Sequence, residues 1–160
     1  MKLKVVGIGE FQVSDDPEEI LVTYSLGSCV GVVVYEPFRR VGGMLHFMLP
    51  DSEINLERAR EKPGVFADTG IPLLLQSCKA LGADLKKLQV KLVGGAELLG
   101  SSDFFLIGKR NVTSARKILW QNGLFIKAQE VGGHVNRTVS LEIATGKVLV
   151  KIPGEGVKEI

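Results

Sequence analysis

A β-branched run, "CVGVVVYE" (29–36), and an apolar run, "VGGMLHFML" (41–49), flank the short segment "PFRR". The valines of the first and the length of both favour strands over helices, and Pro-Phe-Arg-Arg is turn-like, so the pair is expected to fold back as an antiparallel hairpin. A turn centred near Phe38 brings Cys29 close to the level of His46. Pairing either Cys29 or Gly31 with His46 puts both side chains on one face, whereas a slip of one residue puts them on opposite faces. In the first case their Cβ atoms lie roughly 4.5–8 Å apart, directly or diagonally opposed. The glycines at 31, 42 and 43 are expected to leave open space beside the pair, where a substrate chain could approach.

The chain has 160 residues, enough for one domain (1–160) with a sizeable core. A formal net charge of +2, with lysines and arginines scattered, gives no basis for binding nucleic acid or an anionic membrane surface. No apolar stretch approaches the ~18 residues of a membrane-spanning helix, so no membrane insertion is expected. The start, "MKLKVVGIGEFQVSDD", reaches charge too soon for a secretory signal. With only two cysteines, Cys29 and Cys78, a disulfide framework is not expected, and a reduced, cytoplasmic protein is the better reading. Two histidines, His46 and His134, in no paired spacing make a zinc site a poor expectation, and no cofactor is implied.

Further strands are expected at 3–8, 19–25 and 88–95, and "TVSLEIATGKVLVKI" reads as a hairpin about Thr145-Gly146. The charged run 51–64, ending in Pro-Gly, reads as a surface loop. Asp68 is placed to cap a helix over 69–81, whose Ile71, Leu74, Leu75, Cys78 and Leu81 form an apolar stripe. Cys78 on that stripe is a core residue. A second helix is expected over 111–122, with Val112, Ala115, Ile118 and Leu119 inward and Gly123 as its stop. Two helices and more strands than one sheet needs imply a three-layer α/β/β sandwich with mixed, partly antiparallel sheets.

A cysteine beside a histidine has a chemical use, because imidazole can take the thiol proton and stabilise the nucleophilic thiolate. Thr23, on the preceding strand, could orient the imidazole through its hydroxyl, and the peptide N–H groups around Gly27, Ser28 and Cys29 could form an oxyanion hole. The alternative, a buried cysteine and a hydrogen-bonded core histidine, stays open on spacing alone. Other motifs carry less. Ser28 lacks the strand–Ser–helix setting of a nucleophile elbow. "VGIGE" has no helix after it, and "LVGGAELLG" has no Lys-Ser/Thr, so neither binds nucleotide phosphates by a known loop. His134 in "VGGHVNR" reads as a solvated loop residue. Phe104 and Phe105 could be core or a partner-binding patch.

The blocks "VVGIGEFQV", "LGSCVGVVVYEP", "GGMLHFMLPDS", "KPGVFADTGIPLLL", "KLVGGAELL", "IGKRNV" and "VGGHVNRTVSLEIATGKVLVK" resemble, in order, the chemoreceptor glutamine deamidase family, CheD. The Leu-Gly-Ser-Cys followed by His in "LHFMLP" is the specific part. The resemblance implies an α/β/β sandwich like that of cytotoxic necrotising factor toxins, with the catalytic cysteine, histidine and threonine falling on Cys29, His46 and Thr23. It further implies conversion of receptor glutamines to glutamates through a thioester, with chemoreceptor cytoplasmic domains and a CheC-type phosphatase as partners. A largely non-catalytic adaptor, binding both partners, is the alternative, and a small-molecule amidase is another. Ser25 stands where the resemblance leads one to expect glycine, and Asn136 precedes Arg137 where a glycine-rich loop is expected.

Overall fold

The computed structural model describes residues 1–97 and 106–160. One sheet is built from β1 (Lys2–Val5), β3 (Glu19–Leu26), β8 (Arg137–Glu142), β9 (Val148–Ile152) and β10 (Gly156–Glu159), in the order β1-β3-β8-β9-β10. The other contains β2 (Phe11–Ser14), β4 (Val30–Glu36), β5 (Val41–Phe47), β6 (Gln89–Gly94) and β7 (Ile126–Val131), in the order β2-β5-β4-β6-β7. Both sheets are mixed, since β1 runs parallel to β3 and β6 parallel to β7. Three helices, α1 (Leu56–Glu61), α2 (Ala67–Ala80) and α3 (Ile107–Gln121), complete the described elements. The expected α/β sandwich with mixed sheets is what forms.

Strand alternation sorts the second sheet's side chains into two cores. Val30, Val32, Val34, Leu45 and Phe47 face α2 and α3, where Ile71, Leu74, Cys78, Ala115 and Leu119 meet them. The opposite set, Val33, Tyr35, Met44 and Val93, faces Leu21, Leu26, Val139, Leu141 and Val150 of the other sheet. A strand covered on both faces must be apolar at every position, which is why β4 reads as a continuous run rather than an alternating one. Burying its valines completely contributes about 1.5–3 kcal/mol each. The buried Glu36 closes the β4–β5 hairpin by accepting the Phe38 and Arg39 backbone N–H groups at 3.0 and 2.8 Å.

Several expectations needed correction. Gly31, Gly42 and Gly43 do not border open space. A Cβ on Gly31 would meet Leu26 at 3.2 Å and one on Gly42 would meet Leu141 and Ile143 at 2.8 Å, while one on Gly43 would meet Leu74 at 2.8 Å. These glycines let the layers approach closely instead. The run 51–64 is not a loop but α1 flanked by short 3-10 turns, because the Asn55 side chain caps α1 by accepting the Arg58 N–H at 3.0 Å. Asp68 does not cap α2. The N-cap is Phe66, and Asp68, in the first turn, accepts the Ser52 N–H at 2.9 Å and its hydroxyl at 2.6 Å. Helix α3 begins at Ile107, before the expected start at 111, and the short strands β1, β2 and β10 were only partly legible or missed. Phe104 and Phe105 lie outside the described residues.

The crossing from one sheet to the other depends on a bulge. Pairing of β3 with β8 shifts between Thr23 and Leu26, and Ser25 there takes a left-handed φ of 55°. The extra residue leaves Tyr24 and Ser25 exposed and returns Leu26 to the core, so the chain leaves β3 pointing at the second sheet. Residues 27–29 make that crossing. Left-handed backbone is unstrained for glycine and costly for β-branched residues. Ser25→Val is therefore expected to lower unfolding stability by about 1–2 kcal/mol in urea titration, and Ser25→Gly to keep it at or above the native value.

Candidate active site

The hairpin pairs Gly31 with His46, one of the two registers that place Cys29 and His46 on a common face. Cys29 stands one residue before β4, whose ladder with β5 begins at Val30–Phe47. Its half-buried side chain packs against the core between the sheets. His46, only 1% exposed, points into the same space. Thr23 reaches it from the opposite sheet, with its Oγ1 2.7 Å from His46 Nδ1.

A second bond decides the histidine's tautomer. Thr23 Oγ1 also lies 2.7 Å from the Val6 carbonyl, which can only accept. A hydroxyl has one proton to give. Given to Val6, that proton leaves Oγ1 as an acceptor, so Nδ1 must carry the hydrogen and Nε2 the lone pair. Nε2 is buried with no hydrogen-bond partner among the described residues. An orphaned buried acceptor is a cost that structures seldom carry without use.

Burial lowers the His46 pKa to about 4 and raises that of the Cys29 thiol. At neutral pH the resting pair is therefore neutral thiol and neutral imidazole, not thiolate and imidazolium. Cys78 is a different case. Fully buried under α2, with its pKa pushed up to about 12 by desolvation, it is an inert core thiol as its place on the apolar stripe implied.

The loop carrying Cys29 is held by its carbonyls. Gly27 O accepts from Ala96 N at 2.8 Å, Cys29 O accepts from Gly95 N at 2.8 Å, and Ser28 O accepts from Asn111 Nδ2 at 2.9 Å. The segment following β6 thus buttresses the crossing, and Arg137 supports it. Buried Arg137 pairs with Glu130 at 2.7 Å and donates to Gly94 O at 3.3 Å, tying β8 to β6 and β7. Lys158 completes this cluster on Glu130 and, with Arg137, holds its carboxyl below the usual range. His46 is also fixed through its backbone: its carbonyl accepts from Gly9 N at 2.7 Å and its N–H donates to Glu10 O at 3.0 Å. His134 is exposed, with Nδ1 2.6 Å from Glu97 O.

The sequence reading did not find Asn111, the Val6 carbonyl or the Gly95–Ala96 amides. For Asn111 a signal existed: it shares helical spacing with Ala115 and Leu119, a polar residue on a buried stripe. The backbone partners carry no side-chain signature at all.

The model of a family described as CheD chemotactic sensory transduction matches residues 48–152. The chain belongs to the CheD family. A CheD relative from Syntrophus aciditrophicus, called "Probable chemoreceptor glutamine deamidase CheD 1", is 49% identical over 98% of this chain and 98% of its own. Another from Solibacter usitatus, "Probable chemoreceptor glutamine deamidase CheD", is 44% identical over 97% of this chain and 92% of its own. The "Chemoreceptor glutamine deamidase CheD" of Thermotoga maritima is 41% identical over 98% and 99% of the two chains. The family match starts just after His46, but these full-length alignments run across Thr23, Cys29 and His46 as well. Among the described residues of this CheD chain, no helix is long and apolar enough to cross a membrane.

Two measurements test the site's electrostatics. Thr23→Val leaves the Val6 carbonyl and His46 Nδ1–H buried without partners, and is expected to cost about 2–4 kcal/mol in denaturant unfolding. Ring-nitrogen NMR of the native protein should show Nδ1 protonated and Nε2 bare. For pH, the folded His46 pKa of about 4 lies below the ordinary 6.5, so its contribution is complete above pH 6.5. It is lost as pH falls towards 4, where the unfolded state alone takes up the proton, and amounts to on the order of 3 kcal/mol. Unfolding free energy should fall over that window, and His46→Gln should remove most of the slope above pH 5.

Proposed function

We propose that this protein deamidates glutamine side chains of chemoreceptors, with Cys29 as nucleophile, His46 as acid–base catalyst and Thr23 as the residue that orients His46. The observation that carries the reading is the unpartnered Nε2 of His46. Thr23 and Val6 set it as a bare acceptor, and it shares a face with a half-buried thiol. The printed names of the full-length relatives supply the substrate class.

In this reading, Nε2 takes the Cys29 proton as sulfur attacks the glutamine amide carbon. The carbonyl π pair moves to oxygen, and the resulting oxyanion is met by loop N–H groups around Gly27, Ser28 and Cys29. Imidazolium then gives its proton to the amide nitrogen, the C–N bond breaks and ammonia leaves a thioester. Water, deprotonated by Nε2, attacks the thioester. Expulsion of sulfur and return of the proton to Cys29 regenerate the thiol and leave glutamate, so one water is consumed per ammonia released. Because the resting pair is neutral, the thiolate forms in concert with attack rather than before it. Each turnover adds one negative charge to a receptor helix, which can bias a packed signalling bundle.

The same reading makes the 160 residues one catalytic unit working in the cytoplasm, with a CheC-type phosphatase as a second partner. Deamidation is tested by incubating the protein with a chemoreceptor cytoplasmic fragment and mapping amide-to-acid mass gains on its peptides. The native protein should convert specific glutamines, and Cys29→Ala and His46→Ala should convert none. Conversion by Cys29→Ala would overturn the nucleophile assignment. No conversion of a cognate receptor by the native protein would leave binding, not catalysis, as the role. Adding the phosphatase to the same assay reads its effect on the rate.

A further inference from the structure

Asn111, on α3, makes no side-chain hydrogen bond to Cys29, His46 or Thr23 among the described residues, yet its side chain is completely buried and bonded to two main-chain carbonyls. Nδ2 donates to Ser28 O and to Met48 O, each at 2.9 Å. Two acceptors at one end of the amide fix its orientation, because the flipped amide would set oxygen against both. Its other end, Oδ1, is buried with no partner among the described residues. An apolar residue would avoid that cost, so packing alone does not account for asparagine here.

The two carbonyls belong to the two strands of the site. Ser28 precedes the nucleophile and Met48 follows β5 two residues after His46. A trans peptide aims its C=O and N–H in opposite directions. Asn111 draws Ser28 O towards the helix layer, so the Cys29 N–H of the same peptide must face the space between the sheets. That is where the Cys29 thiol and His46 lie. No carbonyl accepts the Cys29 N–H among the described backbone bonds.

The geometry points to Asn111 as a positioning residue: by holding the Ser28–Cys29 peptide and tying it to the end of β5, it aims the Cys29 N–H at the oxyanion formed beside the thiol. This rests on the deamidase reading above and adds to it the side chain that sets the oxyanion hole.

The test separates oxyanion stabilisation from thiol reactivity. Alkylation by iodoacetamide displaces iodide at a saturated carbon and develops no oxyanion, whereas deamidation does. Asn111→Leu is expected to lower kcat for the receptor fragment roughly 10- to 100-fold, less than the loss of a whole oxyanion donor. KM and the pH profile of Cys29 alkylation should stay native. Leu119→Ala, on the same helix and away from the loop, shows what lost stability alone does below the unfolding midpoint. If Asn111→Leu does not fold, Asn111→Ala admits water to the two carbonyls without orienting the peptide, and is expected to show the same split.

Native kcat in a folded Asn111 variant would overturn the inference. So would a parallel fall of kcat and alkylation, the pattern of a loosened loop, or failure of both variants to fold. Cys29→Ala is the separate check. If it remains active, the deamidase mechanism falls and this inference with it; if it is dead while the Asn111 variants match the native enzyme, only this inference falls.

Discussion

The Thr23–His46 hydrogen bond is the interaction around which the molecule is arranged. It is a polar bond in the core between two sheets, and it needs both sheets in register to exist. Thr23 comes from a central position of β3 and His46 from the end of β5, while Val6, which takes the hydroxyl proton, follows β1. Three separate chain segments thus determine the protonation of one ring. In a low-dielectric interior such a network is strong when satisfied and expensive when broken. The one ring atom it leaves without a partner among the described residues is Nε2, the nitrogen that the proposed mechanism uses.

The same economy appears in the loop that presents the thiol. Cysteine at the end of an ordinary strand would be one more core residue, as Cys78 is in α2. Cys29 differs because its chain segment is passing from one sheet to the other, and the carbonyls of residues 27–29 are each claimed by a neighbour. In the proposed mechanism, pinning these carbonyls leaves the amides free to serve a reacting group. Buried Arg137, paired with the partly buried Glu130, braces the far side of that arrangement through Gly94. A largely buried pair of this kind stabilises little by itself after desolvation, but fixes where its backbone partners sit.

Much of this was legible in the residues. The Val-rich run of β4 and the Pro-Phe-Arg-Arg turn gave the hairpin and, with it, a choice between registers that kept Cys29 and His46 together and one that separated them. The apolar stripe of α2 gave the helix and the fate of Cys78. What misled was local chemistry without its tertiary setting. Glycines 31, 42 and 43 suggest vacant space in a strand, yet they are the points where side chains of the next layer enter. Asp68 has the character of a helix cap, but Ser52 competes for its carboxylate and wins. The charged run 51–64 lacks strong periodicity because α1 is short and mostly exposed.

The sequence by itself determined the layered α/β architecture and the hairpin that carries His46 opposite the start of β4, because strand alternation and turn length are local and two-fold in period, whereas the Gly31–His46 register was fixed only by the fold. It also offered Thr23 as a partner for His46, because no Asp or Glu stands on the inner stretch of that strand. Only the tertiary structure decided which tautomer His46 holds, since that depends on a backbone carbonyl near the N-terminus that no residue type announces. It likewise decided the roles of the bulge at Ser25, the Gly95–Ala96 amides and Asn111, because these act through peptide orientation across layers that meet only when the chain has folded.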